Sequence, residues 1–188
     1  CALSSQAPSS LQTSQYLCRV LGELCLASAD FCTEVGRKGV IAAVCEVLRL
    51  HERSESCTQE ALYALSALFC DTRNRCECGG TPTVKHPTTT ALSQILLLHS
   101  NSEAVLEQAL HCVCNLLGDA HRPSGSGVVV ALVNSGLCAA LPAALQGRAL
   151  TLRSAEHGAR ALTLLCSTGS SAALSALEEG GAVLVTVE

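Results

Sequence analysis

The stretch Thr58–Cys70 reads TQEALYALSALFC, and it decides how the rest of the chain is interpreted. Alanine and leucine, two of the strongest helix formers, recur in it at spacings of three and four residues. It therefore predicts an α-helix with one apolar face. Glu55 and Ser56 stand just before it, where such residues favour the start of a helix. Three further stretches share this pattern: Ser14–Cys25, Ser102–Leu117 and Arg153–Cys166.

The four stretches align on one leucine near the end of each. These leucines are Leu24, Leu68, Leu116 and Leu165, and their separations are 44, 48 and 49 residues. Positions seven, four and three residues before each leucine, and one after it, are apolar or small in all four copies. Because these positions lie on one helical face, we expect them to form the core. A period of this length is typical of a helical repeat protein.

A second element repeats out of phase with the first. Glu34–Leu48 (EVGRKGVIAAVCEVL) and Leu132–Leu145 (LVNSGLCAALPAAL) each predict a short helix, a glycine turn and an apolar helix. Gly39 and Gly136 are 97 residues apart, the same separation as between the second and fourth aligned leucines. Leu177–Val185 has the pattern of a third copy. The glycine of each copy allows a tight bend between two helices.

Together the two elements resemble the armadillo repeat. In that family a short first helix, a glycine-containing turn and a second helix precede a long third helix ending in a form like A-x-x-A-L-x-N-L. The closest matches here are Glu34–Cys70 and Leu132–Cys166. In the unit between them, a Gly/Pro loop within Asp71–Pro87 replaces the first helix, and Thr88–His99 is the second helix. The resemblance implies an all-α, right-handed solenoid of about three to four repeats, and HEAT-type repeats give similar patterns.

Residues 1–188 are therefore predicted to form a single armadillo-like repeat domain. Its approximate units are 29–71, 72–119 and 126–169, with partial units at 10–28 and 170–188. The chain lacks Met and begins with Cys1, so we expect it to be a piece of a longer protein, the remainder of which is one of its partners.

Composition argues against several classes of protein. Aromatic residues make up 2% of the chain and the formal net charge is −4, so a nucleic-acid partner is not expected. The longest apolar run, Val128–Val133, is far shorter than the roughly 20 residues of a membrane span. No secretory signal is visible within the sequence, and 13 cysteines cannot all pair with one another. We therefore expect an intracellular, cytoplasmic protein with free thiols.

Most cysteines stand where other copies carry Ala, Leu or Val, and a free cysteine packs as a small hydrophobic residue. We expect Cys45 and Cys138 to belong to the core. We also expect four cysteines of the aligned helices to be buried, reduced and without a metal: Cys18, Cys25, Cys112 and Cys166.

Four residues around the Gly/Pro loop come nearest to a zinc site: Cys70, Cys76, Cys78 and His86. Structural zinc sites usually present their ligands in tight C-x2-C turns, whereas the close pair here is Cys76-x-Cys78. We therefore expect a core Cys70 with two loop thiols, and no metal or other cofactor. A cysteine-based metal or redox-responsive module remains an alternative function.

No catalytic motif is visible in the sequence. It contains no glycine-rich phosphate loop, no strand–Ser–helix elbow and no local signature of a cysteine protease. We therefore predict that the protein is not an enzyme.

The resemblance implies that the third helices line a concave surface. In peptide-binding arrays of the nuclear-import-adaptor kind, Asn often precedes the aligned leucine and binds a peptide backbone, and Trp often lies four residues earlier. Here Asn115 keeps the Asn, and Trp is absent. Tyr63 is the best single candidate, because exposed Tyr is enriched at binding hot spots. The candidate partner-binding residues are Arg19, Glu23, Glu60, Tyr63, His111, Asn115, His157 and Arg160.

These observations predict a non-catalytic scaffold or adaptor that binds a partner protein or peptide on the third-helix surface. The alternative is a structural repeat segment that packs within a large, for example cytoskeletal, assembly.

Overall fold

A computed structural model of the chain describes residues 10–78, 86–118, 126–146 and 150–181. Of these residues 81% are helical and none forms a strand, which confirms the all-α prediction. The helices of the described ranges are α1 (Leu11–Ala27), α2 (Ala29–Arg37), α3 (Val40–Leu50), α4 (Glu55–Leu68), α5 (Thr72–Glu77), α6 (Pro87–Leu98), α7 (Glu103–Leu116), α8 (Ser126–Asn134), α9 (Leu137–Leu145), α10 (Leu152–Ser167) and α11 (Ser171–Glu179).

Side-chain caps fix where several helices begin. Ser10, Ser54 and Thr151 each accept a hydrogen bond from the backbone N–H three residues later, at the starts of α1, α4 and α10. Such caps satisfy N–H groups that the helix itself cannot pair. Asp71 does the same for the short helix α5. The predicted loop Asp71–Pro87 is therefore wrong for the residues of α5, while residues 79–85 lie outside the described ranges.

Two glycines make equivalent turns. Gly39 joins α2 to α3 and Gly136 joins α8 to α9, each with a φ of 76°, a left-handed conformation that favours glycine. The predicted glycine turns are thus confirmed, and α8 meets α9 at 67°. In the described ranges no single helix is long and apolar enough to span a membrane. The bent pair α8–α9 reaches that length and composition only when its two helices are counted together. The end of the third copy, from residue 182, lies outside the described ranges.

The long helices pack side by side in chain order. Helix α1 packs on α4, α4 on α7, and α7 on α10. Helices α3, α6 and α9 follow one another in the same way, and α11 packs on α9. Each long helix of the first series is followed in sequence by one of the short helices α2, α5, α8 and α11. The same order of helices thus recurs along the described chain.

Buried residues of both series form one core. The aligned residues Leu68, Leu116 and Leu165 are buried as predicted. Leu24 and Val20, however, are 46% and 53% exposed, so the apolar face predicted for α1 is wrong at these two positions, whereas its Leu21 and Cys25 are buried. The reason is that α1 has a described neighbour, α4, on only one side of its series. The residues that α1 buries are Ser14, Cys18, Leu21, Gly22 and Cys25.

Candidate partner-binding face

The predicted binding residues lie on the four helices that pack side by side. We call these eight residues the polar row: Arg19 and Glu23 on α1, Glu60 and Tyr63 on α4, His111 and Asn115 on α7, and His157 and Arg160 on α10. Contacts between neighbouring helices gather them into two clusters, one on α1 and α4 and one on α4, α7 and α10.

The α1–α4 cluster is built around a guanidinium group. Arg19 lies 3.0 Å from Glu23, 3.6 Å from Glu60 and 4.8 Å above the centre of the Tyr63 ring. Burial raises the pKa of Tyr63, and the nearby carboxylate of Glu23 adds to this increase. The Tyr63 ring also rests on Gly22, where an added Cβ would collide with it. Each charged group of this cluster therefore has a partner within the cluster, and Tyr63 is part of the packing between the two helices.

The second cluster ties three helices together through hydrogen bonds and a ring stack. The Nδ2 of Asn115 donates to the carbonyl oxygen and to the Oγ of Ser66 on α4, at 3.1 and 2.9 Å. The Nδ1 of His111 lies 3.3 Å from the same Oγ. The rings of His111 and His157 stack, with centroids 4.9 Å apart and planes inclined by 23°. The amide nitrogen that the armadillo resemblance assigns to a peptide backbone is thus engaged within this protein.

The second cluster contains positive charge that is not balanced by a neighbouring carboxylate. Burial lowers the pKa of His111, and the charges of His157 and Arg160 lower it further, while Glu107 opposes them. Glu107 pairs with Arg153 at 3.6 Å. Arg160 is exposed, and no carboxylate of the described residues lies within ion-pairing distance of it. The α7–α10 end of the polar row therefore presents an unpaired cation beside two imidazoles.

Two buried polar atoms of this region have no hydrogen-bond partner among the described residues: the Nε2 of Gln108 and the Nδ1 of His157. The Oε2 of Glu60 also lacks a hydrogen bond, although it has the ion-pair contact with Arg19. An unpaired buried donor costs free energy, so such atoms call for an explanation. Gln108 was not among the predicted site residues. The signal that indicates it is its position three residues before His111, on the same helical face.

The cysteine predictions are only partly confirmed. Cys166 is half-buried, so its predicted burial is wrong. Cys70 is exposed rather than part of the core, because α4 ends at Leu68 before reaching it. Cys78 is fully buried rather than a loop thiol, because α5 carries it onto Thr88. The remaining cysteines expected in the core are buried: Cys18, Cys25, Cys45, Cys112 and Cys138.

The structure does not gather the residues around the Gly/Pro loop into a metal site. Within the described ranges, no group of three His, Cys, Asp or Glu side chains could hold a metal ion. Cys76 is exposed on α5, whereas the Sγ of Cys78 lies 4.0 Å from the Oγ1 of Thr88. The Nδ1 of His86 accepts a hydrogen bond from the backbone N–H of Thr88 at 3.3 Å. Burial raises the pKa of Cys78 to about 12, so this thiol stays protonated at neutral pH.

A groove of about 430 Å³ lies between α3 and α6, away from the polar row. Its lining includes Cys45, Leu48, Ala91 and Ile95. No short-range sequence pattern indicates this groove, because two helices distant in sequence form it together.

In comparisons with known proteins, no family model, no curated protein and no solved structure matches the chain.

Proposed function

We propose that the chain is an armadillo-like α-solenoid and a non-catalytic scaffold whose polar row binds a partner protein or peptide. Support for the repeat comes from the recurring order of short, second and long helices and from the side-by-side packing of the long ones. The two glycine turns, at Gly39 and Gly136, have the same φ and stand at equivalent points of two units. A solenoid presents such a row on rigid, parallel supports.

The observation that carries the binding proposal is a set of unsatisfied polar groups at one end of the polar row. Gln108 and His157 each have a buried nitrogen without a hydrogen-bond partner, and the charge of the exposed, unpaired Arg160 acts on the neighbouring His111, whose pKa it lowers. A partner that supplies an acceptor would pair with the exposed guanidinium group of Arg160, which stabilises the complex relative to the free chain. The bonds from Asn115 to Ser66 hold α7 against α4, so the site is organised before the partner arrives.

A catalytic role is not proposed for the thiol nearest this end of the polar row. Burial raises the pKa of Cys114 to about 11, so its thiol is protonated at neutral pH. The Sγ of Cys114 donates to the backbone carbonyl of His157 at 3.2 Å. A Cys–His pair for nucleophilic catalysis would instead need the imidazole as base.

Affinity capture with quantitative mass spectrometry tests this function. The immobilised wild-type chain is compared with the triple variant Gln108→Ala/His157→Ala/Arg160→Ala, which removes the unsatisfied groups. We expect at least one protein that the wild type retains and the variant loses. The captured protein is then purified, and its affinity for both chains is measured by titration calorimetry. The loss should be about tenfold or more, as for removal of charge-assisted hydrogen bonds.

The matched control is Glu34→Ala/Arg37→Ala/Gln94→Ala, which carries three substitutions at exposed positions of α2 and α6. It should retain the partner as the wild type does. Equal retention by all three chains would show that the partner uses another surface and would overturn the proposal.

One observation favours the structural alternative. Tyr16, Val20 and Leu24 are 63%, 53% and 46% exposed, and their spacing of four residues places them in one stripe along α1. Further protein packed against α1 would cover this stripe, as within a larger assembly.

Sedimentation velocity tests whether the stripe mediates association: the chain should associate, and Leu24→Asp should abolish that association. A wild-type chain that stays monomeric at all concentrations would contradict packing of this stripe against a second copy.

A further inference from the structure

We propose that the groove between α3 and α6 binds a small ligand that combines an apolar body with one cationic nitrogen. The groove has a volume of about 430 Å³, which lies within the range of small-molecule sites in proteins. It is formed by other helices than those of the polar row, so this inference does not depend on the proposed function.

The groove exists because short side chains meet where the two helices pack. Helices α3 and α6 are neighbours in their series. On α3, Ala42, Cys45 and Arg49 line the groove at spacings of three and four residues, which places them on one helical face. Ala91 and Ile95 line it from α6 with the same spacing. Because the side chains of the two alanines end at Cβ, they leave space that longer side chains would fill.

The floor of the groove is apolar and belongs to the core. Cys45, Leu48 and Ile95 line the groove and are buried. Burial raises the pKa of Cys45 to about 11, so its thiol is neutral at pH 7. An apolar ligand body placed here would exchange water for carbon atoms and a neutral sulfur, which favours binding.

Hydrogen bonds near both ends of the groove hold the two helices together. At the start of α6, the Oγ1 of Thr88 accepts a hydrogen bond from the Sγ of Cys45 at 3.3 Å. Just after α6, the Nε2 of the buried His99 donates to the backbone carbonyl oxygen of Glu52, just after α3, at 2.5 Å. A ligand would therefore enter a site that is formed before binding, which lowers the cost of ordering it.

The charge of the groove favours a cation. Among the described residues, three charged side chains line it: Glu46, Arg49 and Glu52. Arg49 donates two hydrogen bonds to Glu46, at 2.8 and 2.5 Å. These bonds raise the pKa of Arg49, and the charge of Glu52 adds a smaller contribution. Glu52 is exposed and forms no ion pair with another described residue, while Arg53 lines a separate hollow at the α3–α4 turn. Two carboxylates and one guanidinium group thus leave one negative charge for a ligand to pair with.

Nuclear magnetic resonance of isoleucine methyl groups tests the site directly. The chain contains only two isoleucines, so selective carbon-13 labelling of their δ1 methyl groups gives two signals. Ile95 lines the groove, whereas Ile41 lines a separate hollow beside Cys78. The probe is phenethylammonium, an aromatic ring with a cationic amine, and the matched probe is phenylpropionate, an anion of similar size. Each is titrated into the 188-residue chain at pH 7 and constant ionic strength.

We expect phenethylammonium to shift the Ile95 signal saturably in the millimolar range and to leave the Ile41 signal in place. Phenylpropionate should bind at least about fivefold more weakly, because it meets the unpaired carboxylate with a like charge.

Three variants separate the contribution of shape from that of charge. Glu52→Gln removes the unpaired carboxylate and should weaken binding of phenethylammonium about fivefold. Glu156→Gln, at an exposed position of α10, removes the same charge away from the groove and should bind as the wild type does. Ala91→Leu fills part of the groove with its own side chain and should abolish saturation. Thermal melts check that each variant keeps the fold, as expected for side chains that are exposed or half-buried.

Several results overturn the inference: no saturable shift of Ile95, equal shifts of both isoleucines, equal affinity for the two probes, or unchanged affinity in Glu52→Gln or Ala91→Leu. A shift of Ile95 caused by the captured partner, with none from phenethylammonium, would assign the groove to protein docking instead. A shift of Ile95 as the concentration of the chain alone rises, again with none from the probe, would assign the groove to a second copy.

Discussion

Helices α1 and α7 stand at the same place in the recurring helix order, yet α1 buries only part of the face that α7 buries. Helix α7 packs between α4 and α10, and it buries Cys112 and Leu116 completely or nearly so. Helix α1 packs on α4, and its equivalent residues Val20 and Leu24 are about half exposed. The comparison teaches that a repeating apolar pattern marks which residues can be buried, whereas the neighbouring helices determine which of them are.

The polar sides of α1 and α7 also differ, in how completely their charged and hydrogen-bonding groups are paired. On α1, Arg19 and Glu23 pair with each other and with α4, so the charges are balanced locally. On α7, His111 and Asn115 both contact Ser66, and the ring of His111 stacks on that of His157 on α10, while buried nitrogens of Gln108 and His157 lack partners. We infer that the α7 end is the part of the polar row prepared for a ligand.

The largest difference between the two helices should appear in their aligned leucines. Leu116→Ala should lower the free energy of unfolding by about 2–5 kcal/mol, through lost burial and the cavity left behind. Leu24→Ala should cost less than about 1 kcal/mol, because nearly half of the side chain is already exposed. Urea denaturation followed by circular dichroism measures both. Equal losses of unfolding free energy in the two variants would show that Leu24 is as buried as Leu116, and would contradict the difference between α1 and α7.

An intermediate effect is expected for the polar contacts. Asn115→Ala removes two hydrogen bonds between α7 and α4 and should cost about 1–2 kcal/mol. Glu23→Gln keeps a hydrogen-bonding group beside Tyr63 and removes an exposed ion pair, so it should cost no more than about 0.5 kcal/mol. The same denaturation series compares them. A larger loss of stability for Glu23→Gln than for Asn115→Ala would show that the α1–α4 cluster, and not the second cluster, contributes more to stability.

The smallest effect is a dependence of stability on pH that only α7 should show. The pKa of His111 is lowered in the folded protein, mainly by burial, so the unfolded chain takes up this proton first as the pH falls. His111 therefore contributes a loss of stability that begins near its unfolded pKa of about 6.5 and grows below it. His111→Gln should flatten this loss between pH 7 and pH 5.5, whereas Glu23→Gln should leave it unchanged. Denaturant midpoints measured across this pH range check the prediction. A steeper loss of stability with falling pH in His111→Gln than in the wild type would contradict it.

Much of the fold could be predicted from sequence because helix periodicity and glycine turns are local signals. The aligned leucines of α4, α7 and α10 and the turns at Gly39 and Gly136 needed no knowledge of neighbours. The exposure of Val20 and Leu24 on α1 could not be predicted in this way, since it depends on which helices pack beside α1.

Helix α5 shows a second limit of the sequence pattern. It contains no apolar stripe, so periodicity gave no signal, although Asp71 is a strong N-cap. Its Asn74 donates hydrogen bonds to the carbonyl oxygens of Leu68 and Cys32, at 2.9 and 3.2 Å, and fills the space beside Gly36. A single buried amide thus joins α5 to α2 and α4, which short-range patterns do not reveal.

The candidate site was predictable as a surface but not as a set of contacts. The aligned helices placed His111 and His157 in neighbouring rows of one polar face, and the structure brings their rings together. The engagement of Asn115 with Ser66 and the unsatisfied Gln108 depend on the distance between α4, α7 and α10. That distance follows from packing of the whole series rather than from any one helix.

The most direct test of the central claim is to label histidines with diethyl pyrocarbonate, with and without the captured partner. The claim is that the α7–α10 end of the polar row contacts the partner. Mass spectrometry should show slower modification of His111 and His157 in the complex. His51, which is half-buried and hydrogen-bonds to Ser14 on α1, should react at the same rate in both samples. Unchanged rates at His111 and His157 together with protection of His51 would contradict the account.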